Sequence, residues 1–178
     1  MYKHQLFFLI IFLAFMLSCS STKYIRKEGL PVYQIERTFE YKYEQVWNAV
    51  YNAIAAVADI EIAEESDGII KTDWSYGESD IDIAEYKIDD QIKYKKLKLR
   101  YKYTVLIQKV TGGVKVIVNS DQDYEELGKD FDVPTNSWVS TTSSTVREHN
   151  LLENVNTELL KQWKYLTPAR LGQEVLLV

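Results

Sequence analysis

Lys96-Leu97-Lys98-Leu99-Arg100-Tyr101-Lys102-Tyr103, continued through Val105 and Ile107 to Gly112-Gly113 and then to Asp121, Asp123 and Glu125, is the stretch that decides the fold. Basic residues hold the even positions 96, 98, 100 and 102. Apolar residues hold the odd positions 97, 99, 101, 103, 105 and 107. Successive side chains of a strand point to opposite faces, so this segment reads as a strand with one wet face and one buried face. Gly112-Gly113 supplies a two-residue turn into an antiparallel partner. Folding the chain there pairs Ile107 with Val118, Lys102 with Asp123 and Arg100 with Glu125. Opposite charges directly across such a pair contribute ~0.2–1 kcal/mol each. The basic row and the acidic row therefore account for each other on a solvent-facing surface.

Outward from this hairpin, the pattern changes period. Toward the N-terminus, Tyr33 to Tyr41 reads as a strand of imperfect alternation, with Ile35, Arg37, Phe39 and Tyr41 on one side. Val46, Val50, Ile54 and Val57 recur at helical spacing beside Trp47, which predicts a helix over Tyr43 to Ala58. Ala49, Ala53, Ala55 and Ala56 keep it slim enough to approach a sheet closely. A second hairpin turns at Asp67-Gly68. A three-residue turn, Ser66-Asp67-Gly68, with Gly68 left-handed, is preferred over a two-residue one. It aligns Ile60 with Trp74 and Ile62 with Thr72, and sets Glu61 against Asp73. Gly77 to Asp90 is acidic and irregular and reads as a loop or edge insertion. Toward the C-terminus, Gly128 to Ser144 reads as a Ser/Thr-rich loop containing Pro134 and Trp138. Thr145-Val146-Arg147-Glu148 is a capping box. It opens a long helix with Leu152, Val155, Leu159 and Trp163 as its buried stripe, flanked by Leu151 and Leu160 and ended by Thr167-Pro168. The expected fold is α+β: an antiparallel sheet of about five strands packed against this long C-terminal helix and the shorter N-terminal one, with one sheet face open.

The 178-residue chain carries a formal charge of −5, 13 tyrosines against 6 phenylalanines, and one cysteine, Cys19. The acidic balance argues against nucleic acid, whose binders carry a basic footprint. With no cysteine after Cys19, the domain has neither disulfides nor a thiolate metal site. Lys3 and His4 precede an apolar run from Leu6 to Leu17, followed by Ser18-Cys19-Ser20-Ser21. The run is shorter than the ~20 residues a bilayer span needs. An ordinary secretory peptide is one reading. A cysteine directly behind the run resembles a bacterial lipoprotein signal, with Met16 where leucine is commoner. That resemblance implies cleavage before Cys19 and covalent lipid, palmitate included, on its sulfur. Ser20, at the position after the cysteine, implies the outer membrane and its periplasmic face. The expected organisation is then a signal peptide over 1–18, the lipidated cysteine and a short tether over 19–31, one domain over 32–166 and a tail over 167–178.

His149, with Ser143, Ser144 and Glu148 near it, reads as a solvated helix-surface histidine. No nucleophile elbow, phosphate-binding glycine loop or zinc-protease motif occurs. Asp80, Asp82 and Glu85 lack the glycine and spacing of a calcium loop. Asp121, Asp123 and Glu125 have Lys102 and Arg100 as partners. No enzyme activity and no cofactor are expected beyond the lipid on Cys19. Trp138, with Phe131 seven residues before it, is the candidate for partner binding, against the alternative that it plugs the end of the core. Trp74, Tyr101, Tyr103 and Trp163 are candidates to line a hydrophobic cavity under the long helix, against the alternative that they fill the core.

Within Arg37 to Trp74, the segments Thr38-Phe39, Glu44-Gln45-Val46-Trp47-Asn48-Ala49-Val50 and Asp67-Gly68-Ile69-Ile70-Lys71-Thr72-Asp73-Trp74 resemble the repeating domain of the BamC (NlpB) lipoproteins. The resemblance implies a helix-grip fold and an outer-membrane lipoprotein accessory to β-barrel assembly. BamC proteins carry two such domains behind a long N-terminal segment that contacts the partner. This chain shows one domain and a short tether, and the matched positions are core and turn residues, so no functional residue is transferred. The expectation is a non-enzymatic envelope lipoprotein acting as a protein-interaction module, held to the membrane by its lipid and bound to an envelope protein. The alternative is a carrier or sensor of a hydrophobic ligand.

Overall fold

A computed structural model describes residues 23–24, 35–80, 83–88, 91–128 and 134–174. Cys19 with its signal segment, Asp82, Phe131, the Trp163 side chain and residues 175–178 lie outside what is described. In chain order the elements are β1 (Lys23–Tyr24), β2 (Ile35–Phe39), α1 (Tyr43–Ala55), β3 (Ile60–Glu64), β4 (Ile69–Thr72), β5 (Ser75–Glu78), β6 (Ala84–Ile88), β7 (Gln91–Lys95), β8 (Lys98–Val110), β9 (Gly113–Leu127), β10 (Pro134–Thr141) and α2 (Val146–Glu174). Among the described residues the architecture is α+β, with two helices and antiparallel pairing throughout.

The long hairpin β8–β9 is the spine. Each of its outer edges is shared end to end by two shorter strands. β4 pairs with β8 over Thr104–Leu106 and β5 pairs with it over Lys98–Tyr101. β2 pairs with β9 over Val114–Val118 and β10 over Gln122–Leu127. β3 extends the sheet beyond β4, giving seven strands, and β1, β6 and β7 form a separate three-stranded sheet. Main-sheet size thus exceeds the five strands expected, because edge strands held by backbone pairing carry little apolar signal.

One face of the spine builds the core. Leu97, Leu99, Tyr101, Tyr103, Val105 and Ile107 are all buried, as their alternation requires, opposite Val114, Val116 and Val118. Val46, Trp47, Val50 and Ile54 of α1 and Leu151, Leu152, Val155 and Leu159 of α2 close over them. Burying such aliphatic side chains stabilises by ~1.5–3 kcal/mol apiece. Val57 and Leu160, expected on the buried stripes, are exposed instead. Val57 lies past the end of α1, and Leu160 sits on the outer side of α2. Arg37 breaks the alternation of β2 because it reaches α2, donating to Glu153 at 2.6 Å. That bond holds the Glu153 carboxyl below its usual range.

The main hairpin keeps its faces but moves its register by two residues. Val110 pairs with Gly113, so Thr111-Gly112 is the turn, Ile107 faces Val116, Lys102 faces Asp121 and Arg100 faces Asp123. Gly112 takes φ 90° inside the turn. Gly113 is a strand residue pressed against the Phe39 carbonyl, where a Cβ would collide. A two-residue slip moves no side chain to the other face, so the charge complementarity survives it.

The second hairpin also departs from expectation. Glu64 pairs with Ile69 across a four-residue turn, Glu65 to Gly68, with Gly68 left-handed at φ 68° as expected. Ile62 faces Lys71 and Ile60 faces Thr72, with a bulge between them at Glu61. The bulge removes the Glu61–Asp73 opposition that a regular ladder would create. The expected loop or edge insertion, Gly77 to Asp90, holds the end of β5 and all of β6, and 134–141 is the edge strand β10 rather than loop. Pro134 is tolerated there as the first strand residue, and its register shifts before Trp138. Within the expected tether, Lys23 and Tyr24 pair with Glu85 and Ala84.

The start of α2 does not form the expected capping box. Thr145 is left-handed, at φ 67°, and its N–H bonds the Ser143 hydroxyl at 2.9 Å. The Glu148 carboxylate instead accepts from Ser120 of β9 at 2.5 Å. At its far end α2 runs through Pro168 to Glu174 rather than stopping at Thr167.

Candidate functional site

The open face of the spine carries an ordered array of cations and aromatic rings. Lys98, Arg100 and Lys102 of β8 pair with Glu125, Asp123 and Asp121 of β9 at 3.4, 2.7 and 3.8 Å. Arg100 holds Asp123 twice, through Nε at 2.8 Å and Nη2 at 2.7 Å, both to Oδ2. The flanking strands bring the rings. β5 sets Tyr76 opposite Arg100, and β10 sets Trp138 opposite Glu125.

Trp138 reaches back over the acidic row. Its ring centre lies 4.8 Å from the Arg100 guanidinium carbon, 5.6 Å from Lys98 Nζ and 5.9 Å from the Tyr76 ring, edge to face. On the other side, Trp74 lies 4.5 Å from Arg100 and 5.0 Å from Lys102 Nζ. Cations and indoles therefore alternate in the order Lys98, Trp138, Arg100, Trp74, Lys102. Each such contact contributes about 0.5–1 kcal/mol where exposed and more where desolvated. With Trp138 opposite it, Glu125 is left only 4% exposed, its charge answered by Lys98. Tyr76 remains 61% exposed at the end of the array. The surface can offer an exposed phenol, two half-buried indoles and a guanidinium fixed in position. All are groups that contribute strongly to protein contacts.

This arrangement regroups the expected site residues. Trp138 neither plugs the core nor sits on a loop; it lies on the sheet's outer face. Trp74 joins it there rather than pairing with Ile60. The proposed cavity lining is split across the sheet. Tyr101 and Tyr103 pack edge to face at 5.5 Å within the core, on the side opposite Arg100 and Trp74. Burial pushes the Tyr103 phenol up from its ordinary range. Sequence reasoning missed Tyr76 and the role of Arg100. The available signal was parity: Trp74 and Tyr76 stand two apart, as strand neighbours on one face do.

On the core side, Arg147 of α2 stacks 4.3 Å from the Tyr101 ring, donates to the Glu78 carbonyl at 2.6 Å and pairs with Asp80 at 3.2 Å. Asp80 also accepts from Ser144 at 3.0 Å, so it acts as an ion-pair partner tying the small insertion to α2. His149 is exposed on α2. Among the described residues, no three His, Cys, Asp or Glu side chains converge as a metal site would need. A scan of protein-family models finds none that matches this chain, and a search of curated proteins finds no match either.

Proposed function

We propose that this chain is a non-enzymatic lipoprotein of the bacterial cell envelope, anchored through Cys19, whose helix-grip-like domain binds an envelope protein. The observation that carries the reading is the Tyr76–Trp138–Arg100–Trp74 array on the open sheet face. Tyrosine, tryptophan and arginine dominate the energetic centres of protein interfaces. Here Trp138, Arg100 and Trp74 are held in place by neighbours, so little of their conformational freedom is lost on binding. The BamC-like stretch from Arg37 to Trp74 supports an accessory role in outer-membrane protein assembly. Within that stretch Val46 and Trp47 are core residues and Gly68 is a turn residue. The resemblance therefore supports the scaffold, and the array supplies the contact surface.

The test is crosslinking in native envelopes followed by capture of the full chain. The same protein should be recovered reproducibly with the wild type and be depleted about tenfold or more with the double variant Tyr76→Ala, Trp138→Ala, since each contact at an interface centre is worth ~1–2 kcal/mol or more. Far-UV circular dichroism checks that the variant is folded. Recovery of no reproducible partner, or equal recovery with a folded double variant, sinks the reading.

A further inference from the structure

The two edges of the spine are closed differently. On β8, the break between β5 and β4 is filled by Thr72, whose hydroxyl accepts the Tyr103 N–H at 2.9 Å. On β9, the pairing with β2 stops at Val118 and that with β10 begins at Gln122, so among the described residues no strand pairs with the outer edge over Asn119–Asp121. A cavity of about 360 Å³ occupies this break, between β9, the 140–145 segment and the first turn of α2. Its buried lining residues are Val118, Gln122 and Glu148, which form its floor. Serine and threonine hydroxyls from β9 and from residues 140–145 make up most of the wall.

Glu148 is the unexplained group. It is 3% exposed, and among the described residues its Oε2 has no hydrogen-bond partner. Oε1 accepts from Ser120, which in turn accepts from the Gln122 amide at 2.9 Å. The same amide nitrogen donates to Ser143 at 2.8 Å. Among the described residues, no lysine, arginine or histidine pairs with this carboxylate; the adjacent Arg147 directs its Nη2 to Asp80 and Glu78. A buried carboxylate without counter-charge is costly. The sequence around it would have spent it on a capping box, and the fold spends it on the cavity instead. Ser143 accepts from both Gln122 and Thr145, which leaves its own proton as a donor.

We infer that this cavity binds a small free amine as its ammonium ion, with Glu148 as the counter-charge. Among the described residues the lining holds two carboxylates, Glu148 and Asp121, and no cation, which disfavours anions. Among the described residues Val118 is its only aliphatic side chain, which disfavours an apolar occupant. An ammonium group carries three donors and one positive charge. It meets Oε2 with a donor and a counter-charge together, where a neutral polyol offers hydroxyls but no charge.

The test uses the full chain, purified with its anchor in detergent, and three probes: n-butylamine, 1-butanol and sorbitol. Binding is read by amide chemical-shift changes at residues 119–122 and 141–149 and by the shift in thermal midpoint. Butylamine should bind saturably at those residues and raise the midpoint, while butanol and sorbitol should do neither at equal concentration. Glu148→Gln keeps the shape and removes the charge, and should weaken butylamine binding by about tenfold or more, the scale of a charged hydrogen bond. The wild-type comparison decides the matter even if that variant misfolds. No saturable butylamine binding, equal binding of either neutral probe, or undiminished binding by folded Glu148→Gln overturns the inference.

Discussion

Arg100 and Ile107 stand on the same strand and on opposite faces, and the chemistry of each follows from its face. Ile107 is 3% exposed in the core. Ile107→Ala should lose about 2–5 kcal/mol, read as a fall in urea midpoint with unchanged slope. Arg100 looks from sequence like a solvated member of an ion pair whose loss is nearly silent. Its place between two indoles changes that expectation: Arg100→Ala should cost roughly 1–2 kcal/mol, summed from its cation–π and ion-pair contacts. Arg100→Lys should recover only part, because a lysine lacks the planar group that stacks. A silent Arg100→Ala would show that the ladder contributes nothing to stability. Tyr103 makes a pH prediction. Burial raises its phenol pKa, so the folded state keeps a proton that the unfolded chain loses near pH ~10. Its contribution is therefore fully present below pH ~10 and declines as pH rises from there toward the folded pKa. Between pH 9 and 11, Tyr103→Phe should flatten the fall in urea midpoint. An unchanged slope would mean that other groups govern alkaline unfolding.

At the scale of elements, the junction of β2 with the main hairpin depends on one missing side chain. Gly113 has φ 152° and lies against the Phe39 carbonyl, whereas the space around Gly112 is open. Gly113→Ala must strain the backbone and push β2 away. It should cost at least about 1 kcal/mol, more than the backbone-entropy gain that alanine gives elsewhere. Hydrogen exchange should then quicken over Ile35–Phe39 before it quickens in β8. Uniform quickening would instead mark a global loss of stability. The same scale shows why the turn was misplaced on sequence grounds. Thr111-Gly112 and Gly112-Gly113 both satisfy local turn chemistry, and only the approach of β2 distinguishes them. β10 looks like a loop in the sequence for a related reason. Its serines and threonines show no apolar alternation, and its strand character comes from backbone pairing with Gln122–Leu127.

At the scale of the whole molecule, the lipoprotein reading makes its own prediction. Cys19→Ala should leave the chain uncleaved or release it from the membrane fraction. Normal processing together with retention in the membrane would exclude acylation at Cys19 as the anchor. No described helix is long and apolar enough to cross a bilayer.

The faces of β8, the α1 stripe of Val46, Val50 and Ile54, and the buried positions of α2 at Leu152, Val155 and Leu159 were legible from sequence. Each is a repeat of two residues or about four, and such periods are set by local backbone geometry. The antiparallel hairpin followed from the same alternation read on both sides of a glycine turn. The hairpin's register, the indole–guanidinium ladder and the diversion of Glu148 were decided only by the tertiary structure. They depend on groups far apart in the chain: Ser120 meets Glu148 across 28 residues, and Arg147 meets Glu78 across 69. No local period encodes such a meeting. It exists only once two edge strands, a sheet and a helix have packed and left a carboxylate facing the break between them.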